Sequence, residues 1–320
     1  MMLTDCQVAA VTRDSVKEAL KGDTLLWLDL GGVDDEVIQM LHDDFRIHPL
    51  ALEDAREFGQ RPKAEEYGSF ISMVMYGARA DGHPGHQLMT EVQLFYCERF
   101  LISLHREPVP ALEMARHALT RGSRLFADPT HLIALYRVLD ALVDSVFPML
   151  AAFDDDIDTL QDHIFTNADD GDLSALFKLK RQLVEVRKVV APERDMMAAI
   201  LAGLVPIPGM TPEKERYFRD VYDHLIRASD LTDSYRDLLS GSMDAYTTMA
   251  SNRLNVVMKQ LAIISTIFLP LSFLTGFFGQ NFGWLVNHIT GPETFFGVGL
   301  GTEAVAVVIL LWVFRRRGWL

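Results

Sequence analysis

The sequence predicts an α+β membrane protein with an α/β/α domain, long stalk helices and two C-terminal membrane-spanning helices. Three observations support this. Runs rich in β-forming residues alternate with helical patterns in the first part, a helical pattern runs unbroken from Pro212 to the last quarter, and two apolar runs, the first of them uncharged, lie near the C-terminal end. We therefore predict a cytosolic α/β domain over 1–129, a helical stalk and hairpin region over 130–255, and a transmembrane domain over 256–320.

The N-terminal part contains both strand and helix patterns. Residues 24–30, 70–78 and 91–104 are rich in Leu, Ile, Val, Phe and Tyr, which predicts strands of one sheet. Residues 34–42 and 110–121 have helical spacing. Together they predict helices layered on a sheet.

Beyond this part, apolar residues recur at helical spacing over 130–165, over 173–201 and from Pro212 onward. The breaks at 166–172 and 203–212 are rich in turn-forming residues. Thr211 before Pro212 is a good helix start, and no convincing stop follows. We expect one helix of roughly 100 Å to join the cytosolic part to the first membrane span.

The two apolar runs cover 261–278 and about 295–314, and they predict membrane helices at about 258–279 and 295–314. Each is close to the roughly 20 residues that cross a bilayer, and a soluble helix of this length would need a charged face. About sixteen residues separate the runs, without Lys or Arg. Arg253 and Lys259 precede the first run and Arg315 to Arg317 follow the second, so the positive-inside rule places both termini in the cytoplasm and the spans in the inner membrane.

Composition narrows the function. A net charge of -14 disfavours nucleic acid and attracts cations. The two cysteines, Cys6 and Cys97, lie far apart, which fits a reducing compartment and argues against a thiolate zinc site. Residues 1–5 have no signal-peptide features. The sequence has no phosphate loop, His-Glu-x-x-His or nucleophile elbow, so we do not expect an enzyme.

One face of the long helix carries polar residues into the apolar run. Steps of three and four residues back from Gly276 define this polar stripe: Gly276, Ser272, Leu269, Ser265, Leu261, Met258, Asn255, Ser251, Thr248 and Asp244. Such a face suits an axial pathway between subunits. The alternative is that its hydroxyls bond to the carbonyl one turn earlier and let helices pack closely.

Several segments resemble a known family. Residues 218–224 read FRDVYDH, 255–259 read NVVMK, 266–273 read TIFLPLSF and 279–281 read GQN. In order, they match the segments RDVYDH, N-x-x-M-K, T-I-F-x-P-L-T-F and Gly-x-Asn of the CorA family of divalent-cation channels. HPLALED at 48–54, RPK at 61–63 and KLKR at 178–181 also match. The chain therefore resembles this family over nearly its whole length.

The resemblance implies a homopentameric funnel in the lipid membrane. The first span of each subunit would line a pore for hydrated Mg²⁺, and often Co²⁺ or Ni²⁺, with intracellular Mg²⁺ as the gating ion. Gly279, Gln280 and Asn281 would form the pore mouth, where five Asn281 oxygens hold an ion that keeps its water. Rings of Met258, Leu261 and Leu269 would close the pathway by excluding water, and Pro270 would permit a bend in the helix.

The chain departs from the family at this mouth. Most members have YGMN where residues 278–281 read FGQN, and the acidic MPEL loop that usually follows is absent. Here residues 282–288 read FGWLVNH, and no acid occurs before Glu293. The related ZntB branch, which handles zinc and is proposed to use protons, also lacks that loop. A proton-coupled zinc transporter is thus the rival prediction, favoured by Glu303 and His288. A membrane-anchored cation sensor that conducts nothing is a third.

Further acids are candidates for cation binding. Asp220 and Asp244 align with family positions that bind regulatory Mg²⁺ between neighbouring cytosolic domains, and Asp81 is our candidate for their N-terminal partner. Without the resemblance, Asp220 and Asp244 would be solvated helix carboxylates.

Three other features leave alternatives open. An acidic run, Asp154 to Asp156, Asp158, Asp162, Asp169, Asp170 and Asp172, is usually a solvated face, but it could also collect cations or meet Arg315 to Arg317. We interpret His83 and His86 as loop residues. Glu303 stands in the second span at a cost of roughly 2.5 to 3.5 kcal/mol if charged. It is either protonated, paired within the bundle or part of a proton pathway.

Overall fold

The computed structural model describes residues 2–4, 7–9, 12–22, 25–79, 88–120, 130–281, 283–288 and 291–319. It divides the chain into two compact units, Met1–Met243 and Asp244–Leu320. Asp81, His83 and His86 lie outside the described residues. The three-part division at 129 and 255 stays a prediction.

The first unit is built on a seven-stranded sheet. Its strands are β1 Met2–Thr4, β2 Gln7–Ala9, β3 Leu26–Gly31, β4 Lys63–Glu66, β5 Ile71–Ala78, β6 Met89–Cys97 and β7 Phe100–His105. In space they follow the order β2-β1-β3-β7-β6-β5-β4. Among these described strands the pairing of β3 with β7 is parallel and the others are antiparallel.

Helices flank the sheet, and several begin at capping side chains. The helices are α1 Arg13–Ala19, α2 Asp35–Asp43, α3 Pro49–Glu57, α4 Pro110–Thr120, α5 His131–Asp144, α6 Val146–Asn167, α7 Asp170–Leu201 and α8 Pro212–Phe278, which continues into the second unit. Thr12, Asp34, Thr130 and Asp169 each accept a backbone N–H of the first turn. Such caps satisfy amide groups that have no partner inside the helix.

The two faces of the sheet pack on different helices. Leu26, Leu28 and Leu30 share a core with Val16 and Leu41 on the face covered by α1, α2 and α3. On the other face α5 contacts β3, β5, β6 and β7. There the Trp27 indole donates to the Ser103 hydroxyl over 3.0 Å. Successive side chains point to opposite faces of the sheet, so strands that are apolar on both faces produce the expected α/β/α layers.

Some boundaries differ from the predictions. A single strand over 91–104 is wrong, because β6 and β7 form a hairpin that turns at Glu98 and Arg99. A single helix over 130–165 is also wrong, because it is interrupted at Ser145. The Ser145 hydroxyl accepts the Ala78 N–H over 2.9 Å and donates to the Leu142 carbonyl, which ties this break to the sheet.

The second unit contains the end of α8 and the second apolar segment. The predicted start of α8 at Pro212 is confirmed, and the helix runs without interruption to Phe278. After it come α9 Gly283–His288, α10 Pro292–Thr294, a π-helical turn Phe295–Leu300 and α11 Gly301–Arg316. The α8 helix and the segment Pro292–Arg316 are both long and apolar enough to cross a membrane.

Candidate cation pathway and regulatory site

The Gly279-Gln280-Asn281 motif lies where α8 ends. The Gly279 N–H donates to the Thr275 carbonyl over 2.9 Å, and the Gln280 N–H donates to the Phe277 carbonyl over 3.3 Å. A Cβ atom at Gly279 would lie 3.1 Å from the Thr275 carbonyl oxygen, so this turn favours glycine. All three motif residues are exposed. The Asn281 carboxamide therefore lies exposed just beyond the helix.

The polar stripe is exposed over its full length in the single chain. All ten of its residues, from Asp244 to Gly276, have exposed side chains or surfaces. On the opposite side of α8, Ile263, Ile267, Pro270 and Leu274 are half-buried. These four positions repeat at helical spacing and lie about 180° from Ser265. The stripe therefore faces away from the side of α8 that packs within its own unit.

The polar stripe either lines a pathway or is a packing face whose hydroxyls bond within the helix, and its hydrogen bonds bear on this choice. The Thr248 hydroxyl donates to the Asp244 carbonyl over 2.8 Å, as the helix-internal alternative expects. The Ser265 and Ser272 hydroxyls have no intrachain hydrogen bond in the described part of the chain. Polar side chains on membrane helices usually find partners in neighbouring helices or water. Ser265 and Ser272 thus favour a polar environment outside the single chain.

The apolar part of the stripe is equally open. Met258, Leu261 and Leu269 are 62%, 56% and 73% exposed. Exposed apolar side chains on this segment suit either lipid or a dry constriction between copies of the chain. Their place on the same face as the unpaired serines favours the constriction.

In the first unit, Asp220 lies in a cluster that sequence reasoning missed. The α5–α8 cluster consists of Asp140, Asp144, Asp220 and His224. His224 Nδ1 is 3.0 Å from an Asp144 oxygen and 4.0 Å from an Asp140 oxygen, while Nε2 is 3.9 Å from an Asp220 oxygen. The one indication of this cluster in the sequence was the four-residue spacing of Asp140 from Asp144 and of Asp220 from His224. This spacing places both members of each pair on one helix face.

Close packing holds α5 in this position. A Cβ atom at Gly77 would lie 2.8 Å from a methyl group of Leu142, so glycine permits the approach of α5 to β5. The ligand atoms of Asp140, Asp144 and His224 lie within 4.8 Å of one another. Their common location follows from helix packing, not from local sequence.

The electrostatics of the cluster favour a bound cation. Burial, followed by the charge of Asp144, raises the pKa of the Asp140 carboxyl from 3.8 to about 6, although Arg137 and His224 oppose this. His224 Nδ1 is buried and makes no hydrogen bond in the described structure, despite its short distance to Asp144. A divalent cation would offset the repulsion between the carboxylates, and the carboxylate oxygens and His224 Nδ1 would be its ligands. Carboxylates suit Mg²⁺, whereas an imidazole suits Co²⁺, Ni²⁺ or Zn²⁺.

The other predicted regulatory acids are not joined to this cluster by any described contact. Asp244 is exposed farther along α8, where its backbone carbonyl accepts from Thr247 and Thr248. Asp81 lies outside the described residues. Of the three predicted acids, Asp220 alone has a described contact with this cluster: one of its oxygens lies 3.9 Å from His224 Nε2, whereas Asp140 and Asp144 lie near Nδ1.

The acidic run is mainly a solvated face. Asp154, Asp155, Asp156, Asp158 and Asp162 are exposed on α6. Asp169 and Asp172 act at the start of α7, where each caps the other's backbone N–H. Asp172 also lies 2.7 Å from His163 Nδ1. Helix capping accounts for these two carboxylates.

The residues that favoured the zinc alternative have local partners. His288 stacks on Trp284 with 4.6 Å between ring centroids, and its Nδ1 is 2.9 Å from the Trp284 carbonyl. Glu303 is half-buried on α11, and one of its oxygens is 2.9 Å from the Thr275 hydroxyl.

Comparisons with known proteins agree with this architecture. The family model described as "CorA-like Mg2+ transporter protein" matches residues 22–316. The cobalt/magnesium transport protein CorA of Thermotoga maritima is 32% identical, and the match covers 99% of this chain and 88% of that protein. The zinc transport protein ZntB of Cronobacter sakazakii is 25% identical and covers 92% of this chain and 88% of its own.

A solved structure shows the same fold. The CorA magnesium transporter from Methanocaldococcus jannaschii superposes with a TM-score of 0.79 at 23% identity, and the match covers 92% of both chains. That relative shares the soluble α/β domain, the long helix and the two C-terminal apolar helices. The family match over nearly the full length and the 32% identity together show that the chain belongs to the CorA-like Mg²⁺ transporter family.

Proposed function

We propose that five copies of this chain form a channel that admits hydrated Mg²⁺, and also Co²⁺ or Ni²⁺, to the cytosol. The observation that carries the proposal is the exposed polar stripe, which faces away from the packed side of α8 and leads to the exposed Asn281 carboxamide. In a symmetric ring this face lines the axis, and α11 lies outside. The basic flanks of the two apolar runs support a location in the inner membrane with both termini in the cytoplasm.

The pore mouth acts through its amide oxygens. Mg²⁺ gives up water reluctantly and usually keeps several water molecules when bound. Five Asn281 oxygens around the axis accept hydrogen bonds from that water shell and leave the ion hydrated. No carboxylate is required, which agrees with the absence of acids between Asn281 and Glu293.

The gate and the regulatory site lie at different levels of α8. Rings of Met258, Leu261 and Leu269 exclude water when the helices are close together. The α5–α8 cluster and Asp244 bind Mg²⁺ on the cytosolic side. Bound ions offset the repulsion among five chains of charge -14 each and favour the closed arrangement.

The second candidate function is zinc transport coupled to protons. It is favoured by the non-acidic loop and by the zinc-transporting relatives that share most of the chain. His224 in the α5–α8 cluster also offers a ligand that transition metals prefer.

An ion-competition experiment separates the two candidates. The full chain is reconstituted in liposomes that contain a Mg²⁺-sensitive dye or, in a parallel set, a Zn²⁺-sensitive dye, and the influx of each ion is measured with and without an inward proton gradient. In the Mg²⁺ set, external Co²⁺, Ni²⁺ or Zn²⁺ is added as competitor. We expect Mg²⁺ influx that Co²⁺ and Ni²⁺ reduce and that the proton gradient leaves unchanged. Zinc influx that requires the proton gradient, without Mg²⁺ influx, would establish the second candidate, and no cation entry would contradict both.

A further inference from the structure

Glu303 is the single ionisable residue of the apolar run 295–314. It is half-buried on α11, near the start of that helix. One of its carboxyl oxygens is 2.9 Å from the Thr275 hydroxyl, which belongs to α8. This contact joins the two apolar helices by a side-chain hydrogen bond.

Thr275 in turn supports the last turn of α8. Its backbone carbonyl accepts the Gly279 N–H over 2.9 Å, and Gly279 is the first residue of the Gly279-Gln280-Asn281 motif. Thr275 stands about 100° around the helix from Gly276 and is therefore outside the polar stripe. Glu303 thus reaches the motif through the flank of α8, without entering the proposed pathway.

The hydrogen bonding at Thr275 does not require a charge on Glu303. The Thr275 oxygen lies 2.8 Å from the Leu271 carbonyl and 2.9 Å from the Glu303 oxygen, but a hydroxyl has a single proton. Either Thr275 donates to Glu303, or it donates to Leu271 and accepts from a neutral Glu303. A carboxamide can donate or accept, so glutamine can replace the carboxyl group in both cases.

The backbone before Glu303 is also unusual. A π-helical turn over Phe295–Leu300 directly precedes α11. π-helical turns occur often at functional sites, and they change which residues of the following helix face a neighbour. Glu303 lies in the first turn of α11, directly after this π-helical turn.

We propose that Glu303 is a positioning residue for the pore mouth. Through Thr275 its carboxyl group fixes the last turn of α8, and so it fixes the direction of the Asn281 carboxamide and the selection among hydrated divalent cations. The inference rests on the proposed function. It competes with a role for Glu303 in proton transfer, which would need an ionisable group at this position.

The test uses full-length protein in liposomes and compares the ratio of Mg²⁺ to Co²⁺ influx. Thr275→Val removes the hydroxyl with little change of shape, Glu303→Met removes the carboxyl group, and Glu303→Gln keeps the hydrogen bond. We expect the first two variants to change the influx ratio by about threefold to twentyfold, the range for interhelical hydrogen bonds in membranes. The double variant should be no worse than either single one, and Glu303→Gln should resemble the wild type.

Thr302→Val is the matched control, because the Thr302 hydroxyl bonds to the Val298 and Gly299 carbonyls of its own helix segment. We expect it to leave the ratio unchanged. Size-exclusion chromatography of each variant separates loss of assembly from loss of selection. An unchanged ratio in Thr275→Val and Glu303→Met, additive effects in the double variant, or failure of Glu303→Gln would each overturn the inference. A wild type that admits no cation would overturn the proposed function, and this inference with it.

Discussion

Asn281 is the residue on which the proposed selectivity depends, because it presents a neutral oxygen ligand where α8 ends. Its position follows from a tight turn at Gly279, whose hydrogen bond to Thr275 closes the helix. The residues around it, from 283 to 288, form a short helix with exposed Asn287. Asn287 offers the same functional group nearby and outside the Gly-x-Asn motif.

We expect Asn281→Ala to abolish Mg²⁺ uptake while assembly is kept, because five amide oxygens are lost from the mouth and no carboxylate there replaces them. Uptake by cells and the size of the purified assembly are measured together. Asn287→Ala is the matched control and should retain uptake. Normal influx in Asn281→Ala would show that the ion is selected elsewhere.

Glu193 gives a second prediction, which concerns stability. It is fully buried on α7, one oxygen accepts the Tyr76 N–H over 2.8 Å, and the other has no partner in the described part of the chain. Burial raises the pKa of Glu193 from 4.5 to about 8, although the Tyr76 bond lowers it. The folded state therefore keeps a proton that the unfolded state releases, so stability falls as pH rises from 4.5 to 8 and is constant above that.

Glu193→Gln should accordingly raise the unfolding temperature at pH 8 by at least about 2 °C, the effect of about 1 kcal/mol in a domain of this size. The difference from wild type should shrink as pH approaches 5. Thermal unfolding at both values measures it, and exposed Glu185→Gln on the same helix is the control. A Glu193→Gln advantage that is the same at pH 5 and pH 8 would contradict the pKa assignment.

At the scale of elements, α5 and α8 bring together the residues of the proposed regulatory site. Asp220 and His224 on α8 face Asp140 and Asp144 on α5, although about 80 residues separate the two pairs in sequence. Proximity of the two helices depends on packing of α5 against the sheet at Gly77. The family resemblance therefore identified Asp220, whereas its intrachain neighbours became visible only in the structure.

Removal of charge from Asp220 and Asp244 together should leave the channel less inhibited by millimolar cytosolic Mg²⁺. Mg²⁺ shifts the equilibrium between the closed and open channel only if it binds one form more tightly than the other. In the proposed mechanism, these carboxylates give the closed form its higher affinity for Mg²⁺. Influx is measured at several internal Mg²⁺ concentrations in the Asp220→Asn, Asp244→Asn double variant. Asp237→Asn, exposed and paired with adjacent Arg236, is the control. Wild-type sensitivity in the double variant would place the gating site elsewhere.

Most of the helices and of the longer strands were predictable from the sequence, and the shortest strands were not. The α8 helix has a Thr-Pro start and no convincing stop, so capping and periodicity together predicted it. The strands β1 and β2 contain three residues each, too few to show alternation. The hairpin of β6 and β7 resembled one strand because both strands are almost entirely buried and only Glu98 and Arg99 separate their apolar residues. Burial on both faces removes the alternation that marks a strand end.

At the scale of the whole molecule, a single chain leaves exposed side chains in its apolar segment that a lipid environment alone does not suit. Ser265 and Ser272 are exposed, without a hydrogen-bond partner among the described residues, in a segment that is apolar enough to cross a membrane, and the large side chains of Met258, Leu261 and Leu269 share their face. Lipid is a poor environment for unpaired hydroxyls. Self-association around an axis gives the same face a hydrated lumen and a closed symmetry. The proposed mouth and gate both depend on that association.

The mass of the assembly in mild detergent tests this dependence most directly. Purified full-length protein is measured by native mass spectrometry, with light scattering as an independent check on the detergent-bound particle. We expect five times the 36.1 kDa of one chain. A monomer or dimer under conditions in which the protein still admits Mg²⁺ would contradict the shared axis, and with it the assignment of the polar stripe as the lining of the pathway.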